Sequence, residues 1–262
     1  MTPPPPGRSD QRNPRAAAAA ATRGEPIWLF GLHTVTAALR NPRRVRHRLL
    51  ATRNALRRLP ADALAAGPAP EETDVKSLSR LLGPDAVHQG VALLADPLAP
   101  RALEDLGEER LVVLLDQVTD PHNVGAIMRS AVAFAAGALI TTSRHSPTER
   151  GVLAKAASGA LDQIDHIEVG NLAVAVTALA GRGYRAVALD SAGDVAFEEL
   201  PPAERIALVL GAEDKGVRAG VRAVCDHVAR IDLPGEIKSL NVSNAAVLAL
   251  YLARSKLTPA PD

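Results

Sequence analysis

One cysteine, Cys225, in 262 residues excludes a disulfide framework. It stands beside Asp226 with no second thiol and reads as a small buried hydrophobe, in keeping with a reducing compartment. The seven histidines (33, 47, 88, 122, 145, 166 and 227) never fall at metal-ligand spacing, so no metal is expected. Aromatic residues number six, too few for a platform on which nucleic-acid bases would stack. The longest apolar stretch, Ala131 to Thr142, is well short of the roughly 20 residues of a membrane span, and no transmembrane helix is expected. What is present is a 47% apolar, 23% charged chain, which excludes wholesale disorder and suits one large domain plus a small one.

Acidic residues are almost missing from the first sixty positions, where twelve arginines face only Asp10 and Glu25 for a net charge of +10. The other 202 residues then sum to −9. Such asymmetry is expected of a polyanion-binding appendage on a separate body, the alternative being a solvated arginine-rich face. Residues 1–24, with a proline run and an alanine run but no periodic apolar face, read as a disordered basic tail. Six alanines are too weak for a secretory signal, and Pro3 to Pro6 would break an organelle-targeting helix.

Residues 25–95 read as a small α/β domain. A helix is predicted over Gly31–Arg40 with Val35, Ala38 and Leu39 on one side, then a strand over Val45–Thr52 and a short helix to Leu59. A further helix is capped by Ser77, and a strand closes the unit at Gly90–Ala95. Pro97 and Pro100 punctuate an interdomain linker over 96–109. From 110 to 258 apolar strands (111–115, 138–141, 166–169, 184–189, 206–210 and 227–231) alternate with helices near 121–135, 148–158, 171–181, 217–223 and 241–255. Continuous apolar strands separated by helices predict a parallel sheet covered on both faces, an α/β fold.

Ligands of such sheets bind beyond the carboxyl ends of the strands, and three of the following turns are rich in polar groups. In residues 116–130 (DQVTDPHNVGAIMRS), Asp120 and Pro121 are ordinary helix-start signals. Asn123 and Arg129 stand apart from the apolar stripe of Val124, Ile127, Met128, Ala131 and Val132. They lie about 120° apart around the helix and meet only beyond its N-terminus, where a long arginine leans back toward free backbone N–H groups that favour anions such as a phosphodiester. In 208–218 (LVLGAEDKGVR), Gly211 and Gly216 bracket Glu213, Asp214 and Lys215. A phosphate-binding NTPase loop is excluded because Val217 stands where Lys-Ser/Thr is required. The approximate dinucleotide fingerprint at Gly181–Ala186 joins helix to strand, the reverse of the required order. In 231–246 (IDLPGEIKSLNVSNAA), Ser239, Asn241, Ser243 and Asn244 reach the mouth of an apolar helix, with Ser239 or Asn241 its potential N-cap. No G-x-S-x-G elbow makes these serines esterase nucleophiles.

Taken together, the motifs D-x-V-x-D-P-x-N-V-G-A-I-x-R-S (116–130), L-V-L-G-A-E (208–213) and I-D-L-P-G-x-x-x-S-L-N-V-S-N-A-A (231–246) resemble the SpoU branch of the SPOUT RNA methyltransferases, over about residues 27–256. F-G-L-H-T-V-T-A-A-L (30–39) and His88-Gln89-Gly90 are similar to the subgroup that methylates a guanosine ribose of 23S rRNA. The resemblance implies a SPOUT-type parallel sheet with a C-terminal deep trefoil knot, which general topology rules count as improbable, plus an L30e-like N-terminal RNA-binding domain. It implies S-adenosylmethionine as cofactor, without a metal, bound by Thr141, Gly211, Ile231, Leu233 and Leu240. Asn123, Arg129, Glu213, Ser239, Asn241 and Ser243 match the positions around the transferred methyl and target ribose. The implied partners are RNA and a second copy of the chain, in the cytoplasm, with no membrane. A tRNA ribose 2′-O-methyltransferase is the nearest alternative; a non-catalytic RNA-binding or ribosome-assembly protein would have lost the polar set. Asp214 stands where the family commonly has glycine, and Ala135-Ala136 replaces a glycine often found after phenylalanine.

Overall fold

A computed structural model describes residues 25–143, 151–236 and 239–259, so the basic tail lies outside the described residues. The N-terminal unit runs β1 (Ile27–Phe30), α1 (Leu32–Arg40), β2 (Arg46–Ala51), α2 (Arg53–Arg58), α3 (Ala61–Ala66), β3 (Pro70–Glu72), α4 (Val75–Leu82) and β4 (Val91–Ala95). Its sheet has the order β1-β4-β2-β3, with β4 antiparallel to both neighbours and β3 parallel to β2. Val35, Ala38 and Leu39 are buried as their helical spacing requires. The cap of α4 differs from expectation: Asp74 accepts the Ser77 backbone N–H at 2.9 Å, and the Ser77 hydroxyl donates back to the same carboxylate. The acceptor of a cap must stand before the first turn, and only Asp74 does.

The second unit runs β5 (Leu111–Asp116), α5 (Pro121–Ala133), β6 (Ala138–Thr142), α6 (Gly151–Ala157), β7 (Asp165–Val169), α7 (Leu172–Ala180), β8 (Tyr184–Leu189), β9 (Val195–Ala196), β10 (Arg205–Gly211), α8 (Ala219–Arg222), β11 (His227–Arg230) and α9 (Val242–Lys256). Its seven strands are all parallel in the order β7-β6-β5-β10-β8-β11-β9. All six residues of β5 are buried because both faces are covered. Leu111, Val113 and Leu115 join one apolar cluster while Val112 and Leu114 join the other, the period-two alternation of a strand sandwiched between helices. Helices α5 and α6 approach so closely that a Cβ on Gly125 would lie 2.5 Å from that of Ala156.

The units share a packed boundary. The Arg44 and Asp162 side chains are 0% and 1% exposed and pair at 2.9 Å, with Asn41 donating to the same carboxylate and Arg44 to the Asp96 carbonyl oxygen. Residues 96–109 are anchored as well: the Arg101 backbone bridges Ile167 of β7, and Leu106 is buried. Cys225 is half-buried, and burial pushes its thiol up to about 11, so it stays protonated and unreactive. Among the described residues no helix is long and apolar enough to cross a membrane, and no group of three or more His, Cys, Asp or Glu side chains gathers to hold a metal.

Candidate active site

Strand order reverses between β5, which leads outward to β6 and β7, and β10, which leads to β8 and β11. The carboxyl ends there lie level, Gly211 beside Asp116 and Leu210 beside Leu189, and a crevice at such a reversal is where a doubly covered sheet accepts ligands. A cavity of about 400 Å³ opens at that place. Leu189, Leu210, Ile231, Leu233 and Leu240 supply apolar wall; Gly211, Glu213 and Ser239 also line it. Asp190 pairs with Arg222 at 3.1 Å, while Glu213 and Asp214 outnumber Lys215, so the rim is net negative.

Three distant turns meet above this cavity. Asp120 caps α5 by accepting the His122 N–H, Pro121 follows at the first helical position, and Asn123 comes in the first turn. Gln117, just before, is held at φ +61, a left-handed conformation costly for a residue with a Cβ. Asn241 caps α9 through its Oδ1, which accepts the Ser243 N–H at 2.9 Å and the Ser243 hydroxyl. Its Nδ2 donates to Asn123 Oδ1 at 3.2 Å and to Glu213 Oε1, which also accepts the Val242 N–H at 3.1 Å. A carboxylate only accepts and a backbone N–H only donates, so these partners leave one orientation for the Asn241 amide. Asn123 therefore turns its oxygen toward Asn241, and among the described residues its NH₂ group meets no acceptor.

Asn123, Glu213, Asn241 and Ser243 thus form one network, spanning up to 118 positions of sequence. Gly211, Ile231, Leu233, Leu240 and Ser239 line the adjoining cavity. Arg129 is exposed on α5 and, among the described residues, takes part in no hydrogen bond or ion pair. Thr141 is not brought to the cavity. It is buried at the end of β6, with β5 intervening, and its hydroxyl meets His166 Nε2 at 3.0 Å.

Burial pushes the His166 imidazole down to about 4 from its ordinary 6.5. The neutral ring is favoured in the folded state, so this contribution to stability is complete above pH 6.5 and is lost as pH falls toward 4. Urea midpoints at pH 7 and pH 4.5 should differ by about 2–3 kcal/mol more in the parent than in His166→Gln, and an equal acid loss in both would refute the assignment.

Asp116 and Arg218 escaped sequence reasoning. The Asp116 side chain is fully buried and accepts the Arg218 backbone N–H and Nε at 2.8 Å each, with Nη2 at 2.7 Å. The available signal was a carboxylate ending an otherwise apolar buried strand, since such a charge must find a partner.

Residues 110–251 match the SpoU rRNA methylase family, and residues 28–101 match the substrate-binding module of RNA 2′-O ribose methyltransferases. The chain is 36% identical over 237 residues to the 23S rRNA (guanosine-2′-O-)-methyltransferase RlmB of Ralstonia nicotianae, covering 86% of this chain and 94% of that one. It is 35% identical over 179 residues to an uncharacterized tRNA/rRNA methyltransferase of Mycobacterium ulcerans, covering 66% of this chain and only 58% of that relative's length. The fold is similar to the AdoMet-bound rRNA methyltransferase from Sinorhizobium meliloti, with a TM-score of 0.75 at 22% identity, covering 94% of this chain and 92% of that one.

Proposed function

The chain belongs to the SpoU rRNA methylase family, and from that premise we propose that it methylates a ribose 2′-hydroxyl of RNA with S-adenosylmethionine, the target being a guanosine of 23S rRNA. The observation that carries this reading is the Asn123–Asn241–Glu213 network at the mouth of a cavity walled in part by aliphatic side chains. The residues present fit the cofactor: about 400 Å³ is within the range of small-molecule sites, the aliphatic walls suit adenine, and a net negative rim suits a cationic donor. Gly211, Ile231, Leu233 and Leu240 would hold it; Thr141, beyond β5, is left out of the set. When bound, S-adenosylmethionine supplies an activated methyl group on a sulfonium sulfur.

This chain's own task is to position the 2′-hydroxyl, ease loss of its proton and exclude water. The NH₂ group of Asn123, without an acceptor among the described residues, offers a donor to the ribose, and Asn241, held by Glu213, fixes that donor's direction. Ser239 and Ser243 add hydroxyls at the same mouth. The Arg129 guanidinium is a poor proton acceptor; it stabilises the developing alkoxide and clamps the adjacent phosphate.

Residues 25–95 act as an L30e-like RNA-binding domain joined through 96–109 to a catalytic domain over 110–258, with 1–24 as a basic tail. The match of 28–101 to a substrate-binding module supports this division, as does the separate four-stranded sheet. A C-terminal trefoil knot is supported by the match of residues 110–251 to the SpoU family. A homodimer is supported by Val247, Leu248 and Tyr251, which leave α9 with an exposed apolar face, Tyr251 meeting Phe134 edge-on at 6.4 Å. The site of action is the cytoplasm, where ribosomes are assembled.

Mapping ribose methylation in RNA from cells lacking the protein tests the reading. One 23S guanosine mark is expected to disappear; loss of a tRNA mark with ribosomal RNA intact would favour a tRNA ribose methyltransferase instead.

A further inference from the structure

We propose that Asp116 and Arg218 are positioning residues for methyl transfer, setting the Glu213 turn and through it the Asn241–Asn123 pair; the inference rests on the function proposed above. Asp116 is the last residue of β5, and its backbone lies in register with Gly211, where the turn begins. Its carboxylate holds Arg218, two residues past Gly216, where the turn ends. One buried residue therefore ties both ends of the segment that carries Glu213.

Within that segment there is no slack. Ala212 and Gly216 form a bridge, with the Gly216 N–H donating to the Ala212 oxygen at 2.8 Å. A Cβ on Gly211 would lie 2.0 Å from the Gly216 carbonyl carbon, so the backbone already fills that space. Displacing Arg218 must carry the turn with it, because the turn cannot absorb the movement internally. Glu213 would then shift against Asn241 Nδ2 and the Val242 N–H, the two contacts that orient the amide pair. The contacts close a ring: β5, Arg218, Glu213, Asn241 and Asn123, which stands seven residues after Asp116.

Stability alone does not call for a carboxylate at this position. The preceding residues, Leu111 to Leu115, are apolar, and a buried charge is commonly replaceable, together with its partner, by apolar side chains of like volume without loss of stability; here Asp116 is the buried member and Arg218 is half exposed. What such a replacement cannot reproduce is the fork of Nε and Nη2 on Asp116, which fixes direction as well as distance.

The test uses the full-length protein with Asp116→Leu and Arg218→Met combined, so that no charge is left buried alone. Methyl transfer to a 23S rRNA fragment is measured in this variant, in Glu213→Gln and in the triple variant, with thermal melting and hydrogen exchange at the Val242 amide. The proposal expects cooperative melting near the parent's temperature and kcat lower by about tenfold to a hundredfold, with KM for RNA within about twofold. It also expects faster Val242 exchange and no further loss when the pair is removed from Glu213→Gln. Parent-like kcat in the double variant, or losses that multiply with that of Glu213→Gln, would overturn it. Should the double variant melt early, Arg218→Lys decides: it keeps the charge but not the fork, and parent-like turnover with parent-like exchange would equally overturn the idea. A parent protein that methylates no RNA sinks the functional reading, whereas Val242 exchange unchanged by the substitutions sinks the coupling itself.

Discussion

Arg129→Ala is expected to lower methyl transfer by about 10²- to 10³-fold while cofactor affinity stays within about twofold of the parent. Arg129 lies in the third turn of α5, about 9 Å along the axis from Asn123, and helical side chains lean toward the N-terminus. In that direction lie the first-turn N–H groups, the positive end of the helix. Among the described residues no acid compensates Arg129. An exposed cation near a helix N-terminus gains little in the free protein and much when a phosphodiester and a developing alkoxide arrive. Because this gain appears only with substrate, removal should act on kcat with RNA and leave cofactor titrations unchanged. Arg129→Lys should recover only part of the rate, having a charge but no planar fork. Single-turnover methylation with isothermal titration of S-adenosylhomocysteine separates the outcomes. A rate within threefold of the parent would remove Arg129 from the mechanism.

Why some of this was legible beforehand and some was not follows from where each signal resides. The LVVLL run of β5, the Asp120-Pro121 helix start and the apolar stripe of α5 are local, and the structure has them at the expected places. β1 (IWLF) was missed because it is a four-residue edge strand whose place is set by pairing with β4, some sixty residues away. β3 (PEE) is exposed throughout and has no apolar pattern at all; it is a strand only because β2 lies beside it. At the site, Asn123, Glu213, Asn241 and Ser243 could be nominated as polar groups in turns after strands, since the sheet brings every such turn to one edge. Thr141 was named by the family resemblance alone; β6 lies beyond β5, and the Thr141 hydroxyl meets His166 away from the cavity. Asp116 was passed over since a local pattern shows that a charge sits in a buried strand and says nothing of Arg218, 102 positions later.

Asp162→Ala is expected to cost about 3–5 kcal/mol of stability, the largest single-residue penalty foreseen outside the core. Arg44, its guanidinium 0% exposed, would lose the carboxylate that accepts its Nε and Nη2, and Asn41 would lose the same acceptor. Combining Arg44→Met with Asp162→Leu should restore most of the loss, for breaking a buried pair costs more than replacing both partners by apolar side chains. Urea midpoints of the three proteins decide the matter: a single variant within 1 kcal/mol of the parent would mean that water reaches Arg44. The consequence extends to substrate handling because the pair joins the loop after α1 to the turn after α6, and Gly159 packs its backbone against that of His33. A unit that captures RNA can deliver a chosen ribose only if its angle to the cleft is fixed. Weakening the pair should therefore raise KM for RNA in the surviving folded enzyme and leave its affinity for S-adenosylhomocysteine intact.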